Sequence, residues 1–129
     1  MDIKVGDFIR TKKGIIGKLK RIELDEIDKN LKWYVFDKKR PDMNIIDEIY
    51  INKPYITKYS KNLIDLIEVG DIVEYQVNSL SKLKVGRVKS YRDARSNKEY
   101  LGVEGFDITK IYIKSILTHE QYNANCHSI

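Results

Sequence analysis

Basic side chains cluster in two segments of this 129-residue chain, and they are the residues best suited to bind a charged ligand. The first segment carries Arg10, Lys12, Lys13, Lys18 and Lys20. The second carries Arg87, Lys89, Arg92 and Arg95, with Tyr91 between them. Basic groups bind phosphate oxygens, guanidinium forks do so bidentately, and aromatic rings stack on bases. We therefore expect these ten residues to bind an anionic, phosphate-bearing ligand.

A second interpretation of the same residues stays open. The net charge of +5, from 24 basic and 19 acidic residues, is modest and is compatible with an ordinary soluble protein. Lysines on exposed strand faces and sheet edges also prevent sheets from pairing edge to edge. The basic segments are thus predicted either to bind a ligand or to keep the protein soluble.

Residues suited to catalysis are sparse. The two histidines, His119 and His127, have no serine or cysteine at a recognisable nucleophile spacing. Cys126 and His127 are adjacent, so on a strand they would point to opposite faces, and no second pair completes a zinc site. No phosphate-loop or dinucleotide-binding glycine pattern occurs. We therefore predict a protein that is not an enzyme, with no catalytic residues, no metal and no cofactor.

An internal repeat organises the chain that carries these residues. The segment IKVGDFI at 3–9 matches IEVGDIV at 67–73, and Gly6 and Gly70 occupy the same position in each copy. We expect these glycines to adopt a positive φ at a sharp turn, where Asp7 and Asp71 accept backbone N–H bonds. The repeat predicts two domains, 1–66 and 67–129.

The elements that must position these residues are mostly strands. Segments rich in β-branched and aromatic residues, separated by turn-forming clusters, predict strands at 8–11, 15–24, 31–36, 45–51, 55–59, 72–77, 83–91, 100–104 and 108–113. Short helical turns are predicted near 62–67 and at 118–123, the latter with Thr118 as N-cap, and a last edge strand at 125–129. In 31–36, one face should fill the core and the other form an aromatic surface strip. The predicted fold is mainly β: two tandem SH3-like small barrels, or one composite barrel or sandwich.

Three stretches carry a resemblance to a known family. The segment ITKYSKNLIDLIEVGD at 56–71, the tail IKSILTHEQY at 113–122 and the opening IKVGDFIRTKKG at 3–14 resemble a family of small proteins of Firmicutes phages and prophages. An IDLIEVGD core and an ILTxEQ tail mark that family. The resemblance carries over no functional residues.

The resemblance implies a protein that acts by binding rather than by chemistry. We expect a phage-encoded inhibitor that counters host defence by occupying or sequestering a defence component through its basic hairpins. The expected partner is a host defence protein, a signalling nucleotide or a nucleic acid. The first alternative is an SH3-like nucleic-acid-binding module of broader role. The second is a small phosphodiesterase-like enzyme that uses converging carboxylates or His119.

The location follows from what the sequence lacks. It has no signal-peptide pattern at its start, no run of 18 apolar residues and only one cysteine. We therefore expect the cytoplasm of the infected bacterial host, with no membrane partner. Exposed strand edges could pair between copies of the chain, so the sequence is compatible with a homo-oligomer.

Overall fold

The structure is a computed structural model that describes residues 2–40 and 45–124. The chain is mainly β, as predicted, and contains two five-stranded antiparallel sheets. It divides into two compact units, Met1–Leu66 and Ile67–Ile129, each with one of the sheets. No helix within the described ranges is both long enough and apolar enough to cross a membrane.

The first unit contains strands β1 to β5 in the order β4-β3-β2-β1-β5. The strands are β1 (Phe8–Thr11), β2 (Ile16–Leu24), β3 (Lys32–Arg40), β4 (Ile45–Ile51) and β5 (Ile56–Ser60). One-turn 3₁₀ helices at Lys53–Tyr55 and Leu63–Leu66 precede and follow β5. The second of these confirms the helical turn predicted near 62–67.

The second unit contains strands β6 to β10 in the order β10-β6-β7-β8-β9. The strands are β6 (Ile72–Gln76), β7 (Lys84–Arg92), β8 (Glu99–Val103), β9 (Phe106–Asp107) and β10 (Tyr112–Leu117). A 3₁₀ helix covers Ile108–Lys110, and helix α1 covers His119–Ala124. The Thr118 hydroxyl accepts a bond from the N–H of Gln121 at 3.4 Å, which confirms Thr118 as the N-cap.

The two units share both strand order and entry turn. In each unit the first strand lies between the second and the fifth. Gly6 has φ +96° and Gly70 has φ +98°, so the predicted positive φ is confirmed. Asp7 accepts a bond from the N–H of Lys4 at 3.0 Å, and Asp71 accepts one from the N–H of Glu68 at 2.8 Å. The repeated Val-Gly-Asp motif therefore builds the same closed turn before β1 and before β6.

One predicted strand is wrong, and another concerns residues that the structure does not describe. The predicted strand at 108–113 is wrong, because residues 108–110 form a 3₁₀ helix and the strand begins at Tyr112. Asp107 caps that helix, since its carboxylate accepts bonds from the N–H and the hydroxyl of Thr109 at 2.9 and 2.7 Å. The predicted edge strand at 125–129 lies outside the described residues.

Each sheet packs one face into a small apolar core. In the first unit, Ile3, Ile9, Leu19, Tyr34 and Phe36 form the buried cluster. In the second unit, the core residues are Val73, Tyr75, Val88, Val103, Ile108 and Ile111. Strand β3 does not alternate as predicted, because Tyr34, Val35 and Phe36 are all buried. Of the expected aromatic surface strip, Trp33 is half-buried and donates its indole N–H to Asp25.

Candidate functional site

Arg10 is not part of a ligand-binding surface, contrary to the sequence prediction. Its side chain is fully buried in the first unit, at 0% exposure. One guanidinium nitrogen donates a hydrogen bond to the backbone carbonyl of Leu66 at 2.9 Å. The neighbouring residues of strand β1, Ile9 and Thr11, are buried as well. Arg10 therefore holds the end of the unit together and is unavailable to a ligand.

Lys20 is neutralised by acidic residues from neighbouring strands. The register of β2 against β3 shifts between Leu19 and Arg21, which places Lys20 in a β-bulge. Its ammonium group pairs with Asp37 at 3.0 Å and, more closely, with Glu48. The hydrogen bond to Glu48, followed by that to Asp37, raises the pKa of Lys20. Lys18, two residues earlier on β2, contacts a different partner, the ring of Phe8.

Arg21 completes this acidic and basic network on the first sheet. Its guanidinium group donates to both carboxylate oxygens of Glu48, at 2.6 and 3.0 Å, and to the hydroxyl of Tyr50 at 2.8 Å. It also pairs with Glu23. Hydrogen bonds from Arg21 and then Lys20 lower the pKa of Glu48 from 4.5 to about 2. The positive charges of Lys20 and Arg21 are therefore compensated by acidic residues of the same sheet.

The remaining predicted cations of the first unit, Lys12, Lys13 and Lys18, are exposed. The ammonium group of Lys12 is 5.5 Å from the ring centroid of Tyr55, and that of Lys18 is 5.8 Å from that of Phe8. Lys13 is exposed in the turn between β1 and β2. Each ammonium over a ring gains a weak cation–π attraction in water. These lysines add exposed positive charge to the first unit.

Strand β7 of the second unit brings predicted site residues together. Arg87, Lys89 and Tyr91 are alternate residues of one strand, so their side chains project from the same face of the sheet. Tyr100 is paired with Tyr91 across the β7–β8 ladder and shares that face. We call these four residues the β7 face. Arg87 and Lys89 are exposed, whereas both tyrosines are half-buried.

The two tyrosines of the β7 face are held rigidly. Their rings stack with centroids 5.6 Å apart and planes inclined by 20°. The Tyr91 hydroxyl accepts a hydrogen bond from the backbone N–H of Gly105 at 3.1 Å. Gly102 lies directly beneath the Tyr91 ring, because a Cβ at this position would come within 2.9 Å of it. The β7 face thus has a fixed aromatic platform beside two exposed positive charges.

Arg87 also contacts the C-terminal helix. Its guanidinium carbon lies 5.4 Å from the ring centroid of Tyr122 in α1. A guanidinium group that lies over an aromatic ring keeps its N–H donors in its own plane, where they can reach an acceptor. Arg87 is therefore both oriented and accessible.

Arg92 and Arg95 lie at the tip of the β7–β8 hairpin. Arg92 pairs with Glu99 at 2.8 Å and donates to the backbone and side-chain oxygens of Asn97. Such an exposed ion pair contributes little to stability and is readily exchanged for another anion. The N–H of Arg95 bonds to Asp93 at 2.8 Å, which shapes the turn and leaves its guanidinium group exposed.

A shallow groove adjoins the β7 face at this tip. Its lining combines cations and aromatic rings: Arg92, Tyr100, Phe106 and Lys110, together with Asp93 and Asp107. Phe106 is 39% exposed although it lies in a strand. Tyr100 belongs to both the β7 face and this hairpin groove, which makes the two regions continuous. The combination can hold phosphate groups on its cations and planar groups on its rings.

Some residues of this site were missed by the sequence prediction. Tyr100, Phe106 and Lys110 were not among the ten predicted site residues. The pairing of Tyr100 with Tyr91 could have been predicted from the sequence, because a turn centred on 93–98 places these residues opposite each other. Phe106 and Lys110 join the groove only because β9 and the following 3₁₀ helix fold back beside β8.

Comparisons with known proteins found no match. No protein-family model, no curated protein and no solved structure matches the chain. The resemblance to phage and prophage proteins therefore stays a prediction.

Proposed function

We propose that this chain is a non-enzymatic binding protein that takes a phosphate-bearing ligand on the β7 face and the hairpin groove. The observation that carries the proposal is the convergence of Arg87, Lys89, Tyr91 and Tyr100 on one face. Two cations supply phosphate contacts, and the stacked tyrosines supply a surface for a base. The first unit contributes less, because Arg10 is buried and Lys20 is compensated by acids.

The local charge supports an anionic ligand more strongly than the net charge of the whole chain does. The segment 82–104, which contains the β7–β8 hairpin, has seven basic and three acidic residues. The basic residues are Lys82, Lys84, Arg87, Lys89, Arg92, Arg95 and Lys98. A concentration of charge of this kind attracts phosphate oxygens and speeds their association.

The biological target we propose comes from the resemblance to phage proteins. In an infected bacterium the phosphate-bearing ligand would belong to a defence system, either as a signalling nucleotide or as the nucleic acid held by a guided effector. By binding that ligand, the chain would block the defence system without any chemical step. The chain would then work in the cytoplasm of the host as a stoichiometric inhibitor.

The alternative is a nucleic-acid-binding module of broader role, and the hairpin groove favours it. A groove that carries Tyr100 and Phe106 between Arg92 and Lys110 can take successive bases and phosphates of a single strand. A polymer would contact the groove and the β7 face at once, whereas a single nucleotide would occupy only one of them. The dependence of affinity on ligand length therefore separates the two functions.

Native mass spectrometry of the purified protein tests the proposal. The protein is analysed first as isolated and then with an added single-stranded oligonucleotide or a mixture of cyclic and linear nucleotides. We expect one ligand of phosphate-bearing mass per chain, with the ligand unchanged in mass after incubation. A protein that binds neither class would overturn the proposal, and a ligand converted to a product would support the enzyme instead.

A further inference from the structure

Three side chains that commonly bind metals meet where helix α1 approaches the turn before β6. The Nε2 atom of His119 lies 3.1 Å from a carboxylate oxygen of Glu68 and 3.2 Å from one of Glu120. One ligand atom from each residue lies within 4.8 Å of both others, and all three residues are half-buried. None of the three belongs to the β7 face or the hairpin groove.

The spacing of these atoms fits the coordination shell of a metal ion. Zinc and similar metals are bound by imidazole nitrogen and carboxylate oxygen at about 2.0 to 2.2 Å, which places neighbouring ligand atoms about 3.3 to 3.6 Å apart in a tetrahedral shell and about 2.8 to 3.1 Å apart in an octahedral shell. The two distances from His119, 3.1 and 3.2 Å, lie at the border between these two ranges. A divalent cation placed among the three ligand atoms would accept the imidazole lone pair and one oxygen from each carboxylate.

A single buried carboxylate holds two of the three residues in place. One oxygen of Asp71 accepts the backbone N–H of His119 at 2.9 Å, and the other accepts that of Glu68 at 2.8 Å. Asp71 itself is fully buried. His119 and Glu68 are 51 residues apart in the sequence, so this bridge fixes their relative position. The bridge holds the two backbones at a fixed separation, and the side chains of Glu68 and His119 extend from rigid positions.

Close packing beneath His119 adds to this rigidity. Gly70 has φ +98°, and a Cβ at its position would lie 3.3 Å from the Cβ of His119. The entry turn of β6 and the first residue of α1 are therefore in direct contact. The geometry points to a site for one divalent first-row transition-metal ion, such as Zn²⁺ or Mn²⁺, bound by Glu68, His119 and Glu120.

The ligand types narrow the choice of metal. An imidazole nitrogen suits Zn²⁺ and other transition metals, whereas Mg²⁺ and Ca²⁺ prefer oxygen ligands alone. Three protein ligands leave at least one coordination position for water. The site is therefore of the open type rather than a closed structural one.

The first unit shows why each chain should bind one ion rather than two. Its entry turn is built in the same way, with Asp7 accepting the N–H of Lys4 where Asp71 accepts that of Glu68. Lys4 thus occupies the position that corresponds to Glu68. An ammonium group there repels a cation, so the repeated turn offers a metal site only in the second unit.

Isothermal titration of metal-free, untagged protein with Zn²⁺ and Mn²⁺ tests the proposal. We expect one ion per chain and a rise in melting temperature, because the ion binds the folded state. The changes His119→Gln and Glu68→Lys should each weaken binding by at least about tenfold, since each removes a ligand. Glu68→Lys reproduces the residue of the first unit. Glu26→Gln, which changes an exposed loop carboxylate, should leave binding unaltered.

Cys126 is the single cysteine of the chain and His127 its other histidine, and both residue types bind transition metals, so a further control is needed. The double change Cys126→Ser with His127→Gln should preserve binding, and Co²⁺-loaded protein should show no thiolate-to-metal charge-transfer band. Circular dichroism determines whether each variant is folded. If His119→Gln or Glu68→Lys is not folded, Glu120→Gln is used in its place. The proposal would be overturned if the parent protein showed no saturable metal binding, or if none of the three ligand variants weakened binding. It would also be overturned if only the double change abolished binding.

Discussion

The ring of Tyr91 stacks on the ring of Tyr100 across the β7–β8 ladder, with centroids 5.6 Å apart and planes 20° from parallel. The stack depends on Gly102, the next residue on β8 that faces the same side. A Cβ at this position would come within 2.9 Å of the Tyr91 ring and 2.8 Å of the backbone oxygen of Phe106. The aromatic platform thus requires the absence of a side chain at residue 102.

Gly102→Ala should therefore destabilise the protein. The backbone oxygen of Phe106 cannot move aside as a flexible side chain would, so we expect a loss of about 1 to 3 kcal/mol in the free energy of unfolding. Urea denaturation measures this loss. Ser90→Ala, at an exposed position of β7, should stay within about 0.5 kcal/mol of the parent protein. Equal stability of the two variants would mean that Tyr91 does not rest on Gly102.

The two entry turns provide a matched pair of substitutions. Gly6→Ala and Gly70→Ala each place a side chain at a positive φ, which costs about 1 to 2 kcal/mol. Nothing lies within 4 Å of a Cβ at Gly6, whereas a Cβ at Gly70 meets the Cβ of His119 at 3.3 Å. We expect Gly70→Ala to lower the melting temperature more than Gly6→Ala. The opposite order would show that packing beneath His119 is looser than described.

Tyr75 carries a buried hydroxyl group that forms no hydrogen bond within the described residues. Burial raises its pKa, and the nearby carboxylate of Glu104 adds to the effect. Leaving a buried polar group without a partner costs about 1 to 3 kcal/mol. Tyr75→Phe should therefore preserve the free energy of unfolding or increase it by up to about 1 kcal/mol. A clear loss of stability in urea denaturation would reveal a hydrogen-bond partner for this hydroxyl.

Glu48 makes stability dependent on acid pH. Its pKa in the folded protein is lowered from 4.5 to about 2 by Arg21 and Lys20. The ionised carboxylate therefore contributes stability above its unfolded pKa, and this contribution is lost as the pH falls from 4.5 towards 2. Melting temperatures of the parent protein and Glu48→Gln should differ near neutral pH and converge as the pH falls through that window.

A parallel course of the two melting curves across the window would contradict this account. Glu26→Gln serves as the control, because it also removes one carboxylate but from an exposed loop. Its melting temperature should follow that of the parent protein at every pH.

Local features of the fold were predictable from the sequence, because short segments determine them. The Val-Gly-Asp motif specifies its own turn, since Gly70 supplies the positive φ and Asp71 accepts an N–H three residues back. Thr118 and Gln121 similarly begin α1. The strand predicted at 108–113 is wrong because the prediction rested on the β-branched residues Ile108 and Ile111. In the structure Asp107 caps a 3₁₀ helix at Ile108–Lys110 instead.

Contacts between distant residues were not predictable, and they decide the site. Arg10 appears in the sequence as one more cation of a basic segment, but it reaches the carbonyl of Leu66 and is buried. Lys20 meets Glu48 only because β2, β3 and β4 lie side by side. Glu68 and His119 meet through Asp71. Each of these partners is set by sheet topology rather than by spacing along the chain.

The salt dependence of oligonucleotide binding tests most directly whether the β7 face binds phosphate groups. Fluorescence anisotropy follows a labelled single-stranded oligonucleotide at several salt concentrations. The parent protein is compared with Arg87→Glu/Lys89→Glu and with Lys29→Glu/Lys61→Glu, which makes the same charge change at exposed sites of the first unit.

We expect the parent protein and the Lys29/Lys61 variant to bind with similar affinity and a steep loss of affinity as salt rises. The Arg87/Lys89 variant should bind much more weakly, and its logarithmic salt slope should be smaller by about 1.4, which corresponds to two lost phosphate contacts on a single strand. If both variants weaken binding equally, only the net charge matters and the β7 face is not the site.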